Sequence, residues 1–427
     1  MNKAMPKRLT NGWPGLINHT MIIPTLEKPI IQDIVYRHAE DAAFLWLQRD
    51  RAVRAADTYL EDIQTIDQKI RPHVNGLQVA GLAGWQTAWE ALQQFTEPGE
   101  MFVASVVALT SVDESRLQQL LTVIDDESTT QRGLLSACAW CEEKYVIPVV
   151  KRFFQSESPQ QHEVGIAACA LRRTNPGDVI RSALTQQHLG LQVRALRAVG
   201  ELGLREYAHH LQDVLAHQEG DSHFWAAWSL VLLGDRGPAL EQLCHIMQNT
   251  QHPHQSRALS LAIRALSFDH ACYYLNQMGI NQVGKYDELL RQTIDACGTL
   301  GAPECIPWLI QCMGNVALAR AAGAAFSRIT GVLLDQDGLK DESPCIDSDD
   351  DDRDSDYQWP DANKIERWWQ SHQTIYEPRQ RYLSGQRLDR EHMLHVLEKG
   401  TQLVRRGAAM DLMLSGHHTF LYNTSQS

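Results

Sequence analysis

The Cys138–Cys141 segment, CAWC, is the one motif in this 427-residue chain whose spacing is typical of redox catalysis. A thioredoxin-type pair must lie at a helix N-terminus after a strand, because the helix dipole lowers the thiol pKa there. Here the pair comes late in an apolar helical segment that contains Leu134 and Leu135. A zinc site would need a second cysteine pair at matching spacing, which the sequence lacks. We therefore expect both thiols to be core groups.

A group of histidine and carboxylate residues lies between His209 and His217. His210, Asp213 and His217 follow one another in steps of three and four residues, which places them on one face of a helix. We interpret this polar face as a surface for a partner protein, with metal binding as the weaker alternative. The segment His38–Asp41 also has ligand-type side chains, but it lacks the paired histidines of a helical zinc site, so we expect structural hydrogen bonds there.

Motifs of the common enzyme classes are absent from the sequence. It has no glycine-rich phosphate loop, no Gly-x-Ser-x-Gly nucleophile elbow and no His-Glu-x-x-His zinc motif. We therefore predict a protein without catalytic residues, without a cofactor and without a metal.

The helices that would position these residues recur along the chain. Within Val193–Gly234, a helical pattern rich in small residues ends at Gly203; a second amphipathic segment follows, and the first pattern returns and ends at Gly234, 31 residues later. Three alanines upstream have the same spacing of 31 residues: Ala108, Ala139 and Ala170. This period marks a repeat of two short helices, and such a unit must stack on its neighbours because it cannot bury its apolar face alone.

The repeats between residues 100 and 332 predict about eight helical hairpins, stacked as a HEAT-like α-solenoid in an all-α chain. Alanine or glycine in the first helix of each pair permits a short distance to the next helix. Glycine after that helix takes the left-handed conformation without steric cost. An ordinary bundle of alanine-rich helices is the alternative, which the regular spacing disfavours.

The segments before the repeats predict a helical N-terminal cap. Residues 1–29 contain four prolines and are predicted to be irregular. Residues 30–99 are predicted to form the cap, and Gly76 is expected to end its second helix. Its three helices are predicted to begin near these residues: Ile30, Leu60 and Leu77.

An acidic loop is predicted over residues 333–357. Like charges repel, so we expect it to be disordered and solvated. A calcium loop at Asp335–Gly338 is one alternative, but its glycine comes too early for the ligand pattern. Docking onto a basic partner surface is another.

The last part of the chain, residues 358–427, is predicted to form a C-terminal helical cap. Asp361 is predicted to be the N-cap or a first-turn acid of its first helix, and Tyr382–Gly385 is predicted to be a turn, with a short strand as an option. Such a cap would cover the open end of the stack, because a bare terminal repeat exposes apolar surface. Residues 417–427 are expected to fray.

Composition narrows the class of protein further. The chain is 44% hydrophobic and carries a net charge of −13, with ten acids against Arg353 alone between Asp341 and Asp361. No basic face is evident, which disfavours nucleic-acid binding. No apolar run reaches the roughly 20 residues of a membrane span. The N-terminus does not resemble a signal peptide and the cysteines fall in apolar helical segments, so we expect a cytoplasmic protein with reduced thiols.

Several segments resemble a family of largely uncharacterised bacterial HEAT-repeat proteins, often encoded within type VI secretion gene clusters. The resemblance covers nearly the whole chain and is carried by these segments: Tyr36–Asp50, Ile66–Trp85, Ala321–Val332, Tyr357–His372 and Arg381–Asp389. It implies an all-α solenoid and a role near secretion, and it brings no catalytic residues with it.

These observations predict a non-catalytic solenoid that binds another protein on a concave face formed by the second helices. The resemblance favours an adaptor or chaperone for a type VI effector or spike component. An immunity protein that neutralises a toxin acting in the cytoplasm is the alternative, and an enzyme on a HEAT scaffold, such as a nucleic-acid repair or tetrapyrrole-attaching protein, is the alternative of another class. The candidate contact residues are Lys151, Arg152, Phe154, His210, Asp213, His217, Gln242, His245 and Gln311.

Overall fold

The computed structural model describes residues 30–111, 113–124, 130–280, 287–343 and 354–425. Within these ranges the regular structure comprises 21 α-helices, three short 3-10 helices and one two-stranded hairpin. The predicted all-α class is therefore confirmed. None of the described helices is long and apolar enough to cross a membrane. The predicted irregular segment 1–29 lies outside the described residues.

The first three helices are α1 (Gln32–Arg54), α2 (Leu60–Val79) and α3 (Leu82–Phe95). The prediction that Gly76 ends α2 is wrong, because the helix continues through it to Val79. Gly76 instead allows α1 to approach, since a Cβ at this position would collide with the imidazole of His38. The chain turns at Gly81, which has a φ of 59° that favours glycine.

Fifteen helices follow within the described residues. Fourteen of them form seven consecutive pairs, each with a first and a second helix, and the fifteenth is unpaired. The first helices are α4 (Pro98–Ser111), α6 (Gln131–Trp140), α8 (Pro159–Arg172), α10 (Leu189–Leu202), α12 (Gly220–Leu233), α14 (Gln255–Ala265), α16 (Asp287–Leu300) and the unpaired α18 (Ala319–Thr330). The second helices are α5 (Glu114–Leu121), α7 (Glu143–Gln155), α9 (Val179–Thr185), α11 (Ala208–His217), α13 (Pro238–Met247), α15 (Phe268–Ile280) and α17 (Ile306–Cys312).

Each first helix packs against the first helix of the next pair, from α1 and α4 through to α16 and α18. The second helices of consecutive pairs make at most slight contact with one another among the described residues. Small residues allow the close packing of the first helices: a Cβ on Gly200 of α10 would collide with Ser229 of α12, whose hydroxyl donates to the Leu196 carbonyl at 2.8 Å. Side chains of α4 and α12 are buried on nearly every face.

Glycines end several first helices, as their spacing predicts. Gly203 follows α10 with a φ of 67°, and Gly234 follows α12 with a φ of 110°. Both values lie in the left-handed region, where a side chain is disfavoured. The amide of Leu204 also donates to the carbonyl of Val199 at 3.0 Å, which satisfies one of the free carbonyls at the end of α10.

The acidic segment is ordered at both of its ends. Leu334 and Leu339 are buried, and the amide of Leu333 donates to Asp337 at 2.8 Å. Asp337 is thus used by a turn and not by a metal. The expected disorder of residues 333–357 therefore does not extend to its described ends, and residues 344–353 lie outside the described part of the chain.

The C-terminal region contains α19 (Ala362–His372), β1 (Tyr382–Leu383), β2 (Gln386–Arg387), α20 (Arg390–Lys399) and α21 (Gln402–Leu414). The predicted N-cap is confirmed, because the Asp361 carboxylate accepts from the amides of Asn363 and Lys364 at 3.1 and 3.0 Å. The turn predicted over Tyr382–Gly385 is confirmed at Ser384 and Gly385, whereas Tyr382 and Leu383 form the first of the two short antiparallel strands that it joins.

The chain returns along the helix pairs after α19. Helix α21 packs against both α12 and α14, in the middle of the series. The amide of Gln402 donates to the carbonyl of Thr58, between α1 and α2, at 2.8 Å. The C-terminal helices therefore contact the first, middle and last parts of the chain, and they are not confined to one end of the series.

Candidate functional site

The residues from Tyr382 to Ser425, which we name the returning segment, cross the ends of the first helices. Its backbone bonds directly to theirs: the amide of Tyr382 donates to the Gly301 carbonyl at 2.8 Å, and that of Leu421 donates to the Glu201 carbonyl at 2.9 Å. Helix C-termini leave carbonyls without intrahelical partners, and the returning segment supplies donors to them.

The tail of the returning segment is fixed in the same way, so the prediction that residues 417–427 fray is wrong for its described part. The side-chain amide of Asn423 donates to the Leu171 carbonyl at 2.9 Å, and Nη2 of Arg49 donates to the Ser425 carbonyl at 3.0 Å. The last described residues are short and polar and carry no apolar pattern, so this contact could not be predicted from the sequence.

Arginines form much of the contact between the helix series and the C-terminal part of the chain. Arg264 of α14 pairs with Asp411 of α21 at 2.8 Å, and Arg381 donates to the Arg264 carbonyl at 2.8 Å. Arg406 donates to the Val53 carbonyl, near the end of α1, at 2.6 Å. Cations at a helix C-terminus also complement the helix dipole.

Glu201 is a buried carboxylate near the end of α10, surrounded by arginines. Arg197 Nε donates to its Oε1 at 2.8 Å, and Arg194 also pairs with it. Burial alone would raise the pKa of Glu201, but the charges of Arg194, Arg197 and Arg173 outweigh burial and lower it to about 2. The carboxylate is therefore charged at neutral pH and fixes the arginines that face the returning segment.

A cavity of about 500 Å³ lies where the loop before α2, the end of α18 and helices α20 and α21 meet. Its lining includes Asp57, Tyr59, Arg328 and His392. Burial and the nearby charge of Asp356 raise the pKa of Asp57. The lining combines acidic, basic and apolar side chains, and Nε2 of His392 is already engaged with the Leu383 carbonyl at 2.7 Å.

A second cavity, of about 420 Å³, lies against α1, α2, α6, α8 and α10, beside Ser425. Its lining contains four arginines and two tryptophans: Arg49, Arg71, Arg132, Arg197, Trp46 and Trp140. We name it the arginine–tryptophan cavity. It is the most unusual chemical environment among the described residues, because a chain with a net charge of −13 here presents several guanidinium groups together.

The candidate contact residues on α7 do not line either cavity. Lys151 and Arg152 are exposed, and Nη1 of Arg152 lies 3.2 Å from Oε2 of Glu114 on α5. Phe154 is half-buried, and its ring packs so closely on Gly165 of α8 that a Cβ there would collide with it.

The other candidates lie on α11, α13 and α17, and they too are outside both cavities. Asp213, His217, His245 and Gln311 are exposed, while His210 and Gln242 are half-buried. His217 Nδ1 lies 2.8 Å from the Asp213 carbonyl, one turn earlier, which is a local contact. Burial and the neighbouring His209 lower the pKa of His210.

Cys138 and Cys141 are both buried, as their sequence context predicts. Burial raises the pKa of Cys138 to about 12 and raises that of Cys141 further. Both directions oppose thiolate formation, so the pair lacks the activated thiol of a redox motif. Among the described residues, no group of three or more His, Cys, Asp or Glu side chains is arranged to hold a metal ion.

The arginine–tryptophan cavity could not be predicted from the sequence, although the positions of some of its lining residues follow a pattern. Trp140 ends α6, and arginines occur late in several first helices, but only the fold brings α1, α6 and α10 to one cavity. No protein-family model matches the chain, and comparison with curated proteins gives no match either.

Proposed function

We propose that the protein is a non-catalytic, HEAT-like α-solenoid that binds another protein. The observation that carries this proposal is the serial packing of first helices, which leaves each second helix with one face toward solvent. A row of such faces is the kind of extended surface that helical-repeat proteins use for binding.

The proposed stack curves toward its first helices, because these pack directly on one another while the second helices are farther apart. In this proposed arrangement the second helices would form an outer row, which differs from the concave face predicted from the sequence. The returning segment crosses the ends of the first helices, and its contacts leave less room at that edge for a partner.

The candidate contact surface is therefore the outer row of α7, α11, α13 and α17. Its exposed residues differ in charge, with Lys151 and Arg152 at one end and Asp213 farther along. A specific interface on this row would bury on the order of 1,600 Å² in total.

For its biological role, we propose an adaptor or chaperone that holds a type VI effector or spike component in the cytoplasm before export. The support is the resemblance of segments such as Tyr36–Asp50 and Tyr357–His372 to the HEAT-repeat family found in these gene clusters. The alternative is an immunity protein that occludes a toxin acting in the cytoplasm. An enzyme on the same scaffold is a weaker alternative, since the sequence lacks the motifs of the common enzyme classes.

Affinity capture with matched variants tests the binding surface. The test chain carries Lys151→Glu and Arg152→Glu on α7, and the control carries Lys69→Glu and Arg390→Glu, which make the same charge change at exposed sites elsewhere. A partner recovered by the native chain and the control, but lost by the test chain, supports the outer row. A partner retained equally by both variants, or no partner at all, contradicts it.

Deletion of the gene distinguishes the two roles. An adaptor predicts healthy cells that no longer deliver the effector, while an immunity protein predicts killing of the deletion strain by its siblings. Normal delivery together with normal survival would exclude both.

A further inference from the structure

The arginine–tryptophan cavity combines positive charge with flat apolar walls. Four arginines line it, and Asp50 is the one carboxylate in the lining. The four arginines come from four different helices: Arg49 from α1, Arg71 from α2, Arg132 from α6 and Arg197 from α10. The fold has therefore gathered charges that the sequence keeps far apart.

Three of these guanidinium groups are fixed by carboxylates, and one of these carboxylates, Asp50, itself lines the cavity. Arg49 pairs with Asp67 at 2.6 Å, Arg132 with Asp50 at 2.5 Å, and Arg197 with Glu201 at 2.8 Å. A guanidinium has five N–H donors, and one carboxylate engages at most two of them in a planar pair. Each of these three guanidinium groups therefore keeps N–H donors that its carboxylate does not engage. Because the orientation of each group is already set, less entropy is lost when an anion binds.

The fourth arginine is held by an aromatic ring. The guanidinium carbon of Arg71 lies 5.7 Å from the centre of the Trp140 ring, and the Arg71 side chain is exposed at the edge of the cavity. A cation on an aromatic face keeps its N–H donors in the plane of the group, free to bind an anion from the side.

The tryptophans form a rigid wall. Trp46 and Trp140 each pack on Phe102 with ring centres 5.8 Å apart, and Nε1 of Trp46 donates to the Ser136 hydroxyl at 2.8 Å. Trp46 is only 2% exposed, so the apolar surface that the cavity offers comes chiefly from the half-buried Trp140, Leu135 and Ala139, and water solvates it poorly. A flat ring is the group that such a surface binds best.

We propose that this cavity binds a small organic anion in which a phosphate or carboxylate is joined to a planar ring, as in a mononucleotide. The arginines would pair with the anionic group, and the ring would pack on the apolar surface of Trp140, Leu135 and Ala139. The volume of about 420 Å³ lies within the usual size range of small-molecule pockets. This ligand site is separate from the outer row of second helices and does not depend on the partner-binding proposal.

Calorimetric titration with four probes tests the two halves of the site. AMP and anthranilate each join an anionic group to a ring, with phosphate in one and carboxylate in the other. Adenosine has the ring alone, and inorganic phosphate has the anion alone. We expect AMP or anthranilate to bind at least about tenfold more tightly than adenosine and phosphate. Absence of heat from both AMP and anthranilate at millimolar concentration would overturn the proposal.

Variants then locate the binding. The double variant Arg71→Gln with Arg132→Gln removes two positive charges from the lining, and Ala139→Leu fills the cavity without a change of charge. The control is Arg51→Gln, an exposed arginine on α1 that does not line the cavity. We expect about a tenfold or greater loss of affinity in the double variant and in Ala139→Leu, and native affinity in the control.

The Ala139→Leu variant distinguishes binding inside the cavity from a general attraction of anions to the protein surface. If Ala139→Leu binds as tightly as the native chain while the arginine variant does not, the anion binds on the surface and the proposal fails. Circular dichroism and the unfolding midpoint of each variant show that a lost signal reflects lost binding and not a lost fold.

Discussion

Arg264 Nη1 donates to Asp411 Oδ2 at 2.8 Å, and these two side chains are only 6% and 7% exposed. The pair joins α14, in the middle of the helix series, to α21 of the returning segment. Burial lowers the pKa of Arg264 and raises the pKa of Asp411, so each charged form is disfavoured by desolvation even beside its partner. The pair therefore specifies where α21 docks more than it stabilises the fold.

Removing one member of this pair should be strongly destabilising. Asp411→Ala leaves the Arg264 charge buried and unpaired, so we expect the free energy of unfolding to fall by about 3–5 kcal/mol. The double variant Arg264→Met with Asp411→Leu removes both charges, and it should recover most of that loss. Chemical denaturation measures both values.

An exposed ion pair provides the control for the Arg264–Asp411 prediction. Lys399 and Glu61 lie 3.4 Å apart but are 52% and 77% exposed. Glu61→Gln should change the free energy of unfolding by less than about 1 kcal/mol. If Glu61→Gln and Asp411→Ala lower the free energy of unfolding equally, burial does not explain the effect of removing Asp411.

Gly203 is expected to be irreplaceable because the returning segment lies directly on it. A Cβ at Gly203 would collide with the carbonyl oxygen of Thr419, and its φ of 67° is also unfavourable for other residues. Gly203→Ala should therefore displace residues near Thr419 and make the returning segment sensitive to protease. Limited proteolysis followed by mass spectrometry locates the cleavage.

Gly234 is the matched control for Gly203. It ends α12 with a φ of 110°, but a Cβ there would meet no atom within 4 Å. Gly234→Ala should therefore show backbone strain alone, roughly 1–2 kcal/mol, with no new cleavage of the returning segment. New cleavage in both variants would mean that strain, and not contact with Thr419, fixes the segment.

Glu201 makes the fold sensitive to acid. Its pKa falls from an ordinary value of 4.5 to about 2 in the folded chain, so the unfolded chain binds its proton first as the pH decreases. The charged Glu201 carboxylate thus adds about 3 kcal/mol to the free energy of unfolding. This contribution is complete above pH 4.5 and is lost as the pH falls toward 2. Urea unfolding across this range measures it.

Glu201→Gln removes this titration. The variant should be less stable than the native chain at neutral pH, because Arg194 loses its buried partner. The difference between the two chains should narrow as the pH falls from about 4.5 to 2, since the native carboxylate becomes neutral as well. A difference that stays constant over this range would show that Glu201 does not titrate as described.

Cys138 and Cys141 should be unreactive in the folded protein. Both are buried, and burial raises the pKa of Cys138 to about 12, so the thiolate that reacts with iodoacetamide is scarce. We expect their alkylation at mildly alkaline pH to be at least about tenfold slower than that of the half-buried Cys272, as measured by peptide mass spectrometry. Rapid alkylation of Cys138 before unfolding would revive the redox interpretation.

The sequence by itself determined the local structure of this protein. Helical periodicity and the glycines at 203 and 234 predicted the all-α class and the helix ends, because these features depend on residues within one or two turns. The Asp361 cap and the turn at Ser384–Gly385 follow from the same local rules. The role of Gly76 inside α2 did not follow from local rules, since its lack of a Cβ makes room for the ring of His38 on another helix.

Only the tertiary structure decided where the C-terminal region lies and which residues form the cavities. Arg264 and Asp411 are far apart in sequence, and nothing in either local pattern indicates that they pair. The four arginines in the lining of the arginine–tryptophan cavity are likewise brought together by the serial packing of α1, α4, α6, α8 and α10 and by α2 packing on α1. Contacts of this kind depend on the summed angles between many helices, which no single repeat encodes.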